Sequence, residues 1–250
     1  NQLSDLLNLT PKQKLLQFIA VLRRFLMSNF CLDIETLGTP ERSGYGIVIP
    51  NYSIVKIPEV LTSDLEWLYV QLPIQDQLDL GLKVDANTMN FWFDICAQEF
   101  PLALCEMQKS FKLDQVQAIR SDGTIFQSSN IPSILRGFMG FDGNHTMDTK
   151  IYGNGCHFDC SILQENHRVL FGDASLWHYA SPNNVRTLRL LLTKEEDEKM
   201  KEEVQPFLDE FCEKVNELDF MYDLCLHNPV YDAAKEALFV TYILNLKKSA

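Results

Sequence analysis

Residues 30–38 read FCLDIETLG, and this fragment constrains the fold more than any other stretch of the chain. Leu32, Ile34 and Leu37 are apolar, so residues 30–36 read as a buried β-strand. Side chains two apart on a strand share a face, which turns Asp33 and Glu35 the same way. Two carboxylates converging inside a buried sheet repel one another and are costly unless something compensates. A divalent cation is the usual remedy, and hard oxygen ligands suit Mg²⁺ or Mn²⁺. The alternative is a strand end whose acids are merely solvated. Asp-x-Glu is a common pattern and does not decide between the two.

Around this strand the chain alternates in period. Leu6, Leu7, Leu15, Leu16, Ile19, Ala20, Leu22 and Leu26 recur at near-helical spacing, so residues 3–27 read as one or two helices, with Thr10-Pro11 as a helix start. Strands are expected at 45–49, 54–57 and 68–72, with 78–84 also extended. Residues 88–107 read as a helix that Pro101 kinks or splits. Residues 116–119 and 125–127 flank Ser-Asp-Gly-Thr, a hairpin signal. A short helix at 131–141 and a strand beginning at 150 follow, then helices at 161–170, 195–220 and 229–247. Strands dominate the first third and helices the rest, which predicts one α/β or α+β domain with helices over a mixed sheet.

Composition excludes several classes. The 250 residues are 46% apolar and 22% charged, which rules out collagen-like, low-complexity and disordered chains. No apolar run reaches the roughly 18 residues of a membrane span. Residues 1–26 mix apolar stretches with Asp5, Lys12, Lys14, Arg23 and Arg24, unlike a signal peptide. Seven scattered cysteines, an odd number, fit a reducing intracellular compartment, so a cytoplasmic location is expected and the three N-x-[ST] sequons carry no weight. The net charge of −12 disfavours a passive, non-specific DNA binder. It does not exclude a nuclease: six acids sit in one run at 194–203 that suits a solvated helix, and metal-dependent enzymes gather carboxylates.

Two further fragments carry chemistry. In YGNGCHFDCSIL (residues 152–163) a strand ends in Gly-Asn-Gly and Asp159 opens a helix, at the edge where α/β folds collect ligands. A plain helix-dipole interaction is the alternative role for Asp159. Cys156, His157 and Cys160 lack a partner pair with zinc spacing. In HNPVYDAA (residues 227–234) Asn228 reads as an N-cap and Pro229 as a first-turn residue. His227 then sits just outside the helix, where a general base can move, and Asp232 just inside.

Asp-x-Glu on the first strand, Asp after a Gly-rich strand end and His-x4-Asp opening the last helix recur in that order. Together they resemble the DEDDh group of DnaQ-like 3′–5′ exonucleases, over residues 30–245. Within it the chain is most similar to the phage exonuclease A and Rv2179c-like exoribonuclease branch, with Thr88 and Trp92 on a helix after the third strand and the Arg-Thr segment at 186–189. Asn183-Asn184 depart from the Arg-Asp of that branch. Asn228 stands where the DEDDy sibling group needs Tyr.

The resemblance implies an α/β ribonuclease H-like fold, with residues 27–250 as the exonuclease domain and 1–26 as a helical extension. It implies two divalent ions, Mg²⁺ or Mn²⁺, held by Asp33, Glu35, Asp159 and Asp232, about 3.5–4 Å apart. It makes His227 the general base and gives the terminal nucleotide to the backbone of Thr36, Leu37 and Gly38. Arg186 is either a phosphate partner or a salt bridge to the acidic helix behind it. The expected substrate is a single-stranded 3′ end, DNA ahead of RNA, releasing nucleoside 5′-monophosphates. An exoribonuclease and a non-catalytic nucleic-acid- or protein-binding module on the same fold are the alternatives. No membrane partner is expected, and the apolar face of the leader packs on the domain or makes a homodimer.

Overall fold

Alternation along the first strand sorts the molecule into layers. In β1 (Phe30–Ile34), Phe30, Leu32 and Ile34 belong to one apolar core, while Cys31 belongs to a second core on the opposite face. The computed structural model describes residues 28–127, 130–140, 149–173 and 175–249. The expected helices at 3–27 lie outside the described residues.

β1 is central in a seven-stranded mixed sheet of order β5-β4-β3-β2-β1-β6-β7. β2 (Asn51–Lys56), β3 (Trp67–Gln71), β4 (Gln117–Arg120) and β5 (Ile125–Gln127) extend it antiparallel on one side. β6 (Ile151–Gly153) and β7 (Pro182–Asn184) run parallel to β1 on the other. Among the described residues, the α-helices of four or more residues are α1 (Pro40–Ser43), α2 (Ile74–Asp79), α3 (Ala86–Asn90), α4 (Pro101–Lys109), α5 (Ile131–Phe138), α6 (Cys156–Phe171), α7 (Val185–Arg189), α8 (Lys194–Asn216) and α9 (Pro229–Ser249).

The face with Phe30, Leu32 and Ile34 is covered by Ile131 and Leu135 of α5 and Ile162 and Leu163 of α6. The opposite face, with Cys31, Val55, Trp67 and Tyr69, is covered by Val204, Leu208 and Phe211 of α8 and Ala233, Ala237 and Val240 of α9. Each large apolar side chain sealed in this way contributes about 1.5–3 kcal/mol. A third cluster, with Leu37, Val48, Trp92, Cys96 and Met107, packs beyond the end of β1 under α3 and α4. A capping box starts α8: the Thr193 hydroxyl accepts from the Glu196 N–H, and Glu196 accepts from the Thr193 N–H. All seven cysteines are free thiols, and no helix among the described residues is long and apolar enough to cross a membrane.

The mixed sheet flanked by helices is as expected; several elements differ. Residues 45–49 do not form a strand. Glycines and Pro50 interrupt them, and they make only one bridge, Ile47 to Lys83, with Val48 N–H bonded to Lys83 C=O at 3.0 Å. The extended reading of 78–84 is replaced by α2, whose Gln77 side chain bonds both backbone groups of Ile49 at 2.8 Å, and by a turn at Gly81, φ +86°. The helix at 88–107 splits before Pro101, at Phe100, as expected; what differs is its middle, Phe91–Cys96, which is a π-helical segment.

Candidate active site

Three parallel strands, β1, β6 and β7, end at the same edge of the sheet, where α/β folds place their ligands. The ladder continues past β1: Glu35 N–H bonds Asn51 C=O at 3.0 Å, which keeps Glu35 in the alternation and on the side of Asp33. β6 leads into α6, whose first turn carries Asp159, and Gly155 N–H donates to Asp159 Oδ2 at 3.1 Å. Gly153 makes room for that carboxylate, because a Cβ there would lie 2.5 Å from Asp159 Oδ2. α9 closes the site from the other layer with Asp232, Lys235 and Glu236. All of these except Gly153 line one cleft of about 490 Å³, with Asn154, Arg186, Leu226 and His227.

His227 is held in the left-handed region, φ +66°, immediately before α9. Its backbone N–H donates to Asp232 Oδ2 at 2.8 Å. Asn228 caps the helix: its Oδ1 accepts from Val230 N–H at 2.9 Å and its C=O from Asp232 N–H at 3.0 Å. Phe91, Phe100 and Trp92 meet the imidazole edge-on, with centroids at 5.2, 4.9 and 6.4 Å. Burial among these rings lowers the His227 pKa, Lys235 adds to the effect and Asp232 opposes it. One ligand atom each from Glu35, His227 and Asp232 lies within 4.8 Å of the others.

Charge in the cleft is unbalanced. Burial first, then the neighbouring carboxylates, raises the pKa of Asp33, Glu35 and Glu236 well above the usual carboxylate range. Asp159 is pushed up to about 7 by burial, against the pull of the Gly155 N–H, its own N–H and Arg186. Lys235 forms an ion pair with Asp232 and lines the cleft. Five carboxylates thus share the cleft with two cationic side chains. An excess of hard oxygen donors that strain to stay ionised is a donor set that fits a divalent cation such as Mg²⁺ or Mn²⁺.

The structure brings Asp33, Glu35, Asp159, His227, Asp232 and Arg186 into the one cleft. Arg186 Nε donates to Asn154 Oδ1 at 3.1 Å; the salt bridge to the acidic helix is made by Arg189, bidentate to Asp197 at 2.8 Å. Thr36, Leu37 and Gly38 follow β1 but are not among the residues that line the cleft, and they are tied down. Leu37 N–H bonds Val48 C=O and Leu37 C=O accepts from Asp85 N–H, each at 2.9 Å, while Thr36 C=O accepts from Trp92 Nε1 at 2.9 Å. Trp92 and Trp177 are buried, whereas Tyr179 is open, at 85% exposure. Cys156 and Cys160 belong to the apolar core. Sequence reasoning missed Lys235 and Glu236. The available signal was Asp232 and Glu236 at i and i+4, which puts both on one helix face.

A family model described as the 3′–5′ exoribonuclease Rv2179c-like domain matches residues 28–244. The seven-stranded mixed sheet with flanking helices agrees with a ribonuclease H-like exonuclease fold. No curated protein matches the chain.

Proposed function

The chain belongs to the Rv2179c-like 3′–5′ exoribonuclease family, and we propose that it shortens single-stranded RNA from the 3′ end, releasing nucleoside 5′-monophosphates. The observation that carries this reading is the convergence of Asp33, Glu35, Asp159, Asp232 and His227 in one cleft at the sheet edge. The description of the family as exoribonucleases supports RNA over DNA as substrate, the reverse of the order suggested by the phage resemblance.

Asp33, Glu35, Asp159 and Asp232 would hold Mg²⁺ or Mn²⁺ as a pair of ions. When bound, such ions polarise the phosphate and offset the charge of an in-line displacement. His227 is the general base and takes the proton of the attacking water on its imidazole. Burial lowers its pKa, so the basic form prevails at neutral pH. The Asp232 hydrogen bond fixes the backbone of His227, and the surrounding rings limit where its imidazole turns. Arg186, steadied by Asn154, offers a planar donor fork to a phosphate. The backbone of Thr36, Leu37 and Gly38, which continues from Glu35, would hold the terminal nucleotide, and a 2′-hydroxyl beside it would distinguish RNA from DNA.

The test uses an RNA and a DNA strand of one sequence, both 5′-labelled, with Mg²⁺ or Mn²⁺. A ladder descending from the 3′ end, faster on RNA, is expected. Internal cuts or loss of the 5′ label as mononucleotide would overturn the proposal.

A further inference from the structure

Glu236 is 4% exposed, lines the cleft with Asp33, Asp159 and Asp232, and its Oε2 has no hydrogen-bond partner. It stands one turn beyond Asp232 on α9, and α9 packs on β1, so both carboxylates project toward Asp33. Neither cationic side chain of the cleft bonds Glu236: Lys235 pairs with Asp232, and Arg186 Nε donates to Asn154. A carboxylate oxygen taken out of water without a donor is costly. It needs a proton or a cation, and a site already short of positive charge favours the cation.

We infer that Glu236 is a fifth carboxylate of the cation site, supplying an oxygen to a divalent ion beside Asp159 and Asp232. The inference rests on the metal-dependent reading above. Replacement by Gln separates the two ways of satisfying Glu236, because Gln mimics the protonated acid in shape and cannot replace the anion.

Protein freed of metal with EDTA and dialysed is titrated with Mn²⁺ in a calorimeter, as wild type, Glu236→Gln and Asp232→Asn. Glu236→Gln is expected to bind Mn²⁺ roughly 10–100-fold more weakly, the cost typical of disturbing a metal site, or to lose one ion. Its melting temperature without metal should equal or exceed that of the wild type, and its rise with Mn²⁺ should be smaller. Glu236→Met, which fills the space without a donor, carries the same test if the Gln variant does not fold. Unchanged Mn²⁺ binding by Glu236→Gln, with loss in Asp232→Asn, overturns the role of Glu236 and leaves the metal-dependent reading intact. A wild type that takes up no Mn²⁺ overturns both.

Discussion

The backbone N–H of His227 donates to Asp232 Oδ2 at 2.8 Å, so the candidate base and a candidate cation ligand form one unit at the start of α9. The left-handed backbone of His227 makes that bond possible, because it folds the N–H back over the helix start. Asn is among the residues that tolerate this conformation, which selects the informative variant.

His227→Asn keeps the backbone bond and removes the base. The rate should fall by about 10²–10⁴-fold, the usual worth of a positioned base. Mn²⁺ affinity, measured by titration, should stay within a few-fold of wild type. An equal loss of affinity would make His227 a ligand instead, in keeping with its convergence with Glu35 and Asp232.

Asp159 has a folded-state pKa of about 7, against about 3.9 for a free Asp. A raised acid binds its proton in the folded state over the window where the unfolded chain has lost it. Stability without metal therefore declines as pH rises from about 4 to 7, by a few kcal/mol at most. His167, buried with its pKa lowered to about 3, works in the opposite direction below about 6.5, so total stability mixes it with Asp159 and the other raised carboxylates. The difference between Asp159→Asn and wild type removes the His167 contribution. In EDTA the variant should melt near the wild-type temperature at pH 3.5 and increasingly above it as the pH rises to 8. With Mn²⁺ at pH 8 the order should reverse.

Gly153→Ala puts a methyl group 2.5 Å from Asp159 Oδ2. Overpacking of this kind costs about 1–3 kcal/mol. The carboxylate is held by Gly155, so it must leave its place rather than merely turn. Nuclease rate and Mn²⁺ binding should both drop in protein that still melts cooperatively. Wild-type binding in this variant would show that the position of Asp159 does not matter.

Much of the site was legible because its parts carry local signals. The period-2 pattern around Asp33 and Glu35 places both on one face, and Asn228-Pro229 marks a helix start with His227 just outside. What escaped has no local signal. β7 is Pro-Asn-Asn, three residues of poor strand propensity, and exists as the parallel partner of β6. α2 depends on Gln77 bonding to Ile49, a contact 28 residues away. Glu236 follows Lys235 in a helical stretch and reads as ordinary surface charge. Its burial comes from the packing of α9 against the sheet and the neighbouring helices.

The most direct test compares wild type and Asp232→Asn on 5′-labelled single-stranded RNA, with Mn²⁺ and with EDTA. The wild type with Mn²⁺ should produce a ladder shortening from the 3′ end, and the other combinations should leave the strand intact. A folded wild type that leaves RNA whole in Mn²⁺, or an Asp232→Asn variant that digests it at the wild-type rate, would contradict the assignment of this cleft as a metal-dependent exonuclease site.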